Sequence, residues 1–172
     1  AALMAEAGMR GVEVGLQSIN TETLRCIQRF HHREKFLRGV RLLKERGIRV
    51  RVDLIVGLPH ETLASAKAAV DFVAEHGMGE DIQVFELMVL PGTALATQAK
   101  ALGIEHRARP PYTVLRTPTM SEEDIAEAVA SSERVFGVSW TPVPRLRTFR
   151  REERVEWTGA VAPSAIPGLL AR

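Results

Sequence analysis

An α/β fold built on parallel strands is predicted for this 172-residue sequence by three observations. Runs rich in branched apolar residues recur at Gly11–Gln17, Ile48–Val56 and Asp81–Leu90. Each run is followed by a segment of helical periodicity, and glycine or proline breaks the chain just after the second and third runs. Strands that recur with a helix between them join most economically by right-handed crossovers into a parallel sheet, either an α/β barrel or an open sheet.

Leu3 to Gly8 reads as the last turns of a helix stopped by its glycine. Such an uncapped start is expected of a longer alternating fold entered midway. Gly11–Gln17 alternates as a strand, and Asn20 can cap a helix from Thr21 to about Arg29. A second helix, from about Glu34 to Arg46, carries Phe36, Val40 and Leu43 on one face and Gly47 as its stop. Ile48–Val56 is the clearest strand. Gly57-Leu58-Pro59 breaks it, and Thr62 to His76 restores helical spacing through Leu63, Ala66, Val70 and Val73. Asp81–Leu90 is the third strand, Pro91-Gly92 its turn, and Thr93 to Leu102 a further helix closed by Gly103. Pro110-Pro111-Tyr112 cannot be helical and is expected to cross the barrel mouth as an extended segment. Ser121 caps a last helix to about Phe136.

The domain reading is therefore strand-helix units over residues 1–103, a crossing segment plus helix over 104–138, and a Pro/Arg-rich tail or linker over 139–172. Apolar residues make up 45% and charged residues 26%, the profile of a packed globular protein. A net charge of +2 gives no nucleic-acid footprint, since such a footprint needs basic residues gathered on one face. The arginine-rich run from Arg145 to Arg154 reads as a solvated connector. No apolar stretch approaches the roughly 20 residues needed to span a bilayer, and no signal peptide is evident, so a cytoplasmic protein is expected. The single cysteine, Cys26, excludes both an internal disulfide and a closed thiolate cluster. His31-His32 lacks further ligands at metal spacing, so no metal site is expected within the chain.

Alternation along the strands indicates where chemistry belongs. In the second strand Val50, Val52, Leu54 and Val56 share one face, and Arg49, Arg51, Asp53 and Ile55 the other. The first strand repeats this with Val12, Val14 and Leu16 opposite Glu13, Gly15 and Gln17. Polar side chains facing a barrel lumen need a ligand or partner to satisfy them; an open sheet with one wet face is the alternative. Gln17-Ser18, Asp53, Gly57-Leu58-Pro59 and Pro91-Gly92-Thr93 lie at or beyond strand C-termini, the end where parallel α/β folds place their sites.

Gly15-Leu16-Gln17-Ser18, Arg29, Asp53 through Thr62 and Leu90-Pro91-Gly92-Thr93, in that order and spacing, resemble the radical S-adenosylmethionine (SAM) superfamily. The resemblance covers about Leu3 to Leu102 and implies the last strand-helix units of a partial (β/α) barrel, with a helical and irregular extension. It further implies an enzyme that reductively cleaves SAM at a [4Fe-4S] cluster to give a 5′-deoxyadenosyl radical. The cluster-binding cysteines, Cys-x-x-x-Cys-x-x-Cys in the family, are absent, so the chain alone is expected to be incompetent and to need the preceding half of the same polypeptide. Pro110 to Leu115 with Met120-Ser121 looks like members that bind cobalamin, which implies methyl transfer or carbon-skeleton chemistry. His60 stands where the family has glycine, so the loop there is expected to depart from a positive φ.

The resemblance assigns half of a SAM pocket to this chain. Arg29, by itself an ordinary surface arginine, corresponds to the residue that pairs with the methionine carboxylate. Asp53 corresponds to a polar contact of the ribose hydroxyls, with an ion pair to Arg51 or Arg49 as its alternative. Gln17 offers donor and acceptor for ribose or carboxylate, Ser18 a further contact or a cap, and the backbone at Met88 and Val89 a face for adenine. Glu13 touches substrate or satisfies Arg51, and the catalytic residues and the substrate, expected to be a small molecule, are not legible. A SAM-binding scaffold without catalysis and a methylthiotransferase-like enzyme are the alternative readings.

Overall fold

The computed structural model describes residues 1–30 and 32–140; His31 and the tail, including the Arg145–Arg154 run, lie outside the described residues. A short helix α1 (Ala2–Glu6) leads to β1 (Gly11–Gln17), α2 (Thr21–Cys26), α3 (Arg33–Lys44), β2 (Arg49–Val56), α4 (Leu63–Glu75), β3 (Ile82–Glu86) and α5 (Ala94–Gln98). A two-residue strand β4 (Glu105–His106), then β5 (Val114–Arg116) and α6 (Glu122–Phe136) complete it.

β1, β2 and β3 form one parallel sheet in that order. Val50, Val52, Leu54 and Val56 of β2 are buried together with Ile82 and Val84 of β3. Onto that face pack Val40 of α3, Ala66, Ala69, Val70 and Val73 of α4, and Ile125 and Ala128 of α6. The opposite face, with Glu13, Arg51, Asp53, Ile55 and Phe85, carries none of these helices. Helices on one face only, and polar residues on the other, are the layout of a barrel wall with its lumen exposed. A doubly wound sheet would cover both faces. Among the described residues, no helix is long and apolar enough to cross a membrane.

The helix starts follow local chemistry. The Ser121 hydroxyl accepts the Asp124 N–H at 3.1 Å, and the Asp124 carboxylate accepts the Ser121 N–H at 2.9 Å, a reciprocal cap for α6. Gly137 closes that helix in the left-handed region at φ 65°. Ser121→Ala is expected to cost about 1 kcal/mol in urea denaturation, the usual loss for an N-cap hydroxyl; an unchanged midpoint would show that α6 is held by packing alone.

Three expectations about the elements and their connections differ from the structure. The helices that directly follow β1 and β3, α2 and α5, are shorter than their periodicity suggests; α2 stops at Cys26, and Gln28 beyond it adopts a positive φ of 55°. β3 ends at Glu86 rather than Leu90, since its neighbour β2 stops at Val56, where Gly57 turns away with φ 87°. Residues 87–89 pair instead with 112–114: the Val114 N–H donates to the Leu87 carbonyl at 2.8 Å and the Val89 N–H to the Tyr112 carbonyl at 2.9 Å. Finally, Pro110-Pro111-Tyr112 is a turn rather than an extended crossing. The Tyr112 N–H donates to the Arg109 carbonyl at 3.0 Å with Tyr112 at φ 61°, and β4 and β5 pair antiparallel across it.

Candidate functional site

The C-terminal end of β1 is irregular where the chemistry gathers. Its register with β2 runs Gly15 to Asp53 and then Gln17 to Leu54, so Leu16 is passed over and buried in the core. This bulge leaves Gln17 at φ 64°, in the left-handed region that non-glycine residues adopt uncommonly. A Cβ at Gly15 would overlap the Gln17 carboxamide and lie 3.3 Å from Arg29 Nη1. The missing side chain at Gly15 is therefore what lets Gln17 and Arg29 approach one another over β1.

Arg29 reaches this place from the end of α2. The Asn20 side chain accepts the Glu22 and Thr23 N–H groups at 2.9 and 3.2 Å, fixing the start of that helix. Its far end is tied by the Arg29 N–H, which donates to the Leu24 carbonyl at 2.8 Å. The guanidinium stays exposed, and so is open to an anionic group of a ligand.

Asp53 lies beside Gly15 on the lumen face, only 6% exposed, and its Oδ1 is buried without a hydrogen-bond partner. Its alternative partners are taken: Arg51 and Arg49 both bind Asp81, at 2.8 and 3.3 Å. Burial, reinforced by Glu13, raises the Asp53 carboxyl to about 6. Glu13 lies opposite Arg51 in the register, yet Arg51 is spent on Asp81. A hollow of about 260 Å³ at the other end of the strands is lined by these charged groups, Glu13, Arg49, Arg51 and Asp81.

A pocket of about 320 Å³ opens at the C-terminal strand ends, lined by Gln17, Asp53, Ile55, Phe85, Glu86, Leu87, Met88 and Leu90. Met88 lines this pocket; it stands opposite Thr113 in the antiparallel pairing, whose hydrogen bonds are carried by its neighbours Leu87 and Val89. Val89 does not line it. Its side chain is 1% exposed in the core and its N–H is committed to Tyr112. Phe85 and Glu86 escaped sequence reasoning, although alternation from Gln83 places Phe85 on the face that Asp53 and Ile55 share; Glu86, opposite Val56, lines the pocket only as the last residue of β3.

Ser18 sits behind the pocket wall. It is fully buried, its hydroxyl donates to Glu61 Oε1 at 3.2 Å, and its oxygen accepts the Asn20 N–H at 3.1 Å. Glu61, within the loop motif yet given no role from sequence, is 1% exposed. Its Oε2 accepts the Gly57 and Leu58 N–H groups at 2.9 and 3.4 Å. Burial raises this carboxyl to about 7, against the opposing pull of those donors. His60 keeps a positive φ of 61° despite carrying a side chain, so the glycine-to-histidine departure leaves the loop's backbone sense unchanged. Its imidazole lies 3.7 Å from Glu22.

Cys26 is half-buried, and among the described residues no three His, Cys, Asp or Glu side chains converge to hold a metal ion. These residues do not fit a [4Fe-4S] cluster, which takes several thiolates. The chemistry of the donor set does suit SAM: the pocket offers a partnerless buried carboxylate oxygen and apolar walls for hydroxyl and purine groups, and an exposed guanidinium over Gly15 suits a carboxylate.

The family model described as the Radical SAM superfamily matches residues 1–73. The tRNA uridine(34) acetyltransferase of Methanocaldococcus infernus is 30% identical over 94 residues, which are 54% of this chain and 18% of that protein. The cobalamin-dependent radical SAM methyltransferase TokK of Streptomyces tokunonensis is 32% identical over 96 residues, 54% of this chain and 14% of that protein. The chain thus spans less than a fifth of the length of these curated relatives. Among solved structures, the archaeal Methanocaldococcus infernus Elp3 superposes with a TM-score of 0.58 at 23% identity, over 76% of this chain and 28% of that one. That likeness establishes the fold, and with it the barrel wall rather than the open sheet.

Proposed function

Since the chain belongs to the radical SAM superfamily, we propose that it supplies the C-terminal strands of a radical SAM enzyme's barrel and one side of its SAM pocket. The observation that carries this reading is Asp53 Oδ1, an acceptor withdrawn from water on the lumen face with nothing to accept from. Leaving it so costs free energy that a ribose hydroxyl would recover. Gln17 lies across the pocket to complete a polar pair, Arg29 receives the methionine carboxylate, and Ile55 and Phe85 offer apolar surface to the purine.

SAM bound at a [4Fe-4S] cluster supplies radical chemistry through reductive cleavage of its sulfonium. The residues of this chain bind and orient it, and the cluster's thiolates are proposed to reside in a preceding segment of the same polypeptide. The narrower reaction we propose, on a small-molecule substrate, is cobalamin-dependent methyl transfer, supported by the likeness to TokK. A complete gene product that neither retains nor takes up a corrinoid, judged by visible absorbance, would remove that narrower reading.

Arg29→Ala in the complete gene product, reconstituted anaerobically, is expected to weaken SAM binding by about 10- to 150-fold, the usual loss for a charge-assisted hydrogen bond. Equilibrium titration reads the effect, and an unchanged affinity takes Arg29 out of the site. The same titration without iron distinguishes the enzyme from a scaffold, because tight iron-independent binding would favour a pocket kept for binding alone.

A further inference from the structure

We propose that Glu61 positions Arg29 for the ligand's carboxylate through a relay of hydrogen bonds that runs behind the pocket wall. The proposal rests on the reading of the pocket as a SAM site and adds to it a residue that touches no ligand.

The geometry begins with three segments that converge on one buried residue. Glu61 Oε2 takes the Gly57 and Leu58 N–H groups at the end of β2, and Oε1 takes the Ser18 hydroxyl at the end of β1. The Glu61 carbonyl accepts the Thr119 hydroxyl at 2.5 Å, from the turn that precedes α6. From Ser18 the relay continues: its oxygen accepts the Asn20 N–H at 3.1 Å, and the Asn20 side chain caps α2 through Glu22 and Thr23. α2 then ends in the Arg29 N–H bond to Leu24 that sets the guanidinium over Gly15.

The residue type follows from this arrangement. Two backbone N–H groups and one hydroxyl point inward, and only a group with two acceptor oxygens on a stem of this length meets all three. Aspartate is a methylene shorter and must release one side. Glutamine keeps an oxygen for the loop N–H groups and turns its amide toward the Ser18 oxygen. An aliphatic residue strands every donor in a dry site. Because buried networks transmit a displaced member to the rest, loss of the Glu61–Ser18 contact frees Asn20 and the start of α2, and the guanidinium loses its fixed approach.

The test is SAM titration of the complete gene product in two backgrounds. Ser18→Ala, which cuts the relay while leaving the loop end intact, is expected to weaken binding about 3- to 10-fold, the loss of one buried hydrogen bond. Glu61→Asp is expected to do the same, and Glu61→Gln to lose less than Glu61→Asp. If the relay acts through Arg29, these losses vanish once Arg29→Ala is present, as coupled positions do in a double-mutant cycle. Equal losses in both backgrounds would reduce Glu61 to a structural residue and overturn the proposal, and so would undiminished binding in Ser18→Ala. A parent protein that binds no SAM overturns the pocket reading as well, whereas a parent that binds with additive losses overturns the relay alone.

Discussion

Gly57→Ala is expected to destabilise the chain by about 2–5 kcal/mol, much of what an ordinary domain has to lose. Gly57 holds φ 87°, outside the range that L side chains adopt easily, and an added Cβ would stand 2.7 Å from Val114 Cγ1 and 3.5 Å from Ile125 Cδ1. The left-handed backbone alone costs about 1–2 kcal/mol, and forcing a methyl into a packed interior about 1–3 more. Neither neighbour yields readily, since Val114 and Ile125 are both buried between the sheet and α6. Gly92→Ala separates the two contributions, because Gly92 has a similar φ of 82° with nothing within 4 Å of the new Cβ. Urea denaturation of both variants should show Gly57→Ala losing clearly more; equal losses would mean that backbone strain, and not the close approach of β5 and α6, requires the glycine.

Gly57 also illustrates what sequence makes legible. The break after Val56 is visible in Gly57-Leu58-Pro59, and the buried face of β2 in its alternating valines, because both are local consequences of residue type and period two. The convergence of Gln17, Asp53 and Met88 on one pocket follows from their shared position at strand C-termini, which parallel topology brings side by side. The turn at Tyr112 and the pairing of residues 112–114 with 87–89 had no such local signature. That pairing joins segments far apart in sequence and depends on where β2 stops. The burial of Val89 was illegible for the same reason: alternation tells opposite faces apart, yet its burial is decided by the segment that covers it. Glu61 was hidden differently. Its neighbours in sequence are the loop it holds, but the donor that explains its depth, Ser18, is 43 residues away.

The stability of the folded chain is expected to rise as pH falls from 8 to 5, contrary to the acid sensitivity of most domains. Glu61 goes from an ordinary 4.5 to about 7 on folding, and Asp53 from 3.8 to about 6. In both, burial is the leading cause, since a carboxylate withdrawn from water is penalised more than a carboxylic acid. The folded chain therefore binds more protons than the unfolded chain between these limits. For Glu61 the stabilisation is complete below about 4.5 and is lost as pH climbs through 7. A tenfold change in proton affinity is worth about 1.4 kcal/mol, so Glu61 alone contributes on the order of 3 kcal/mol across that window. Asp53 adds in the same direction over a lower range, with Glu13 reinforcing its rise and the nearby Arg51 opposing it. The opposite shifts of Glu105 and Glu127, lowered by Arg116 and by Lys67 with Arg134, act below the ordinary carboxylate range and leave this window alone. Urea denaturation at pH 5, 6, 7 and 8 reads the slope, and Glu61→Gln, which cannot ionise, should flatten most of it. A parent curve already flat over that range, or a slope unchanged by Glu61→Gln, would mean that water or a rearranged loop reaches the carboxylate, and that the loop after β2 is not as dry as its hydrogen bonds require.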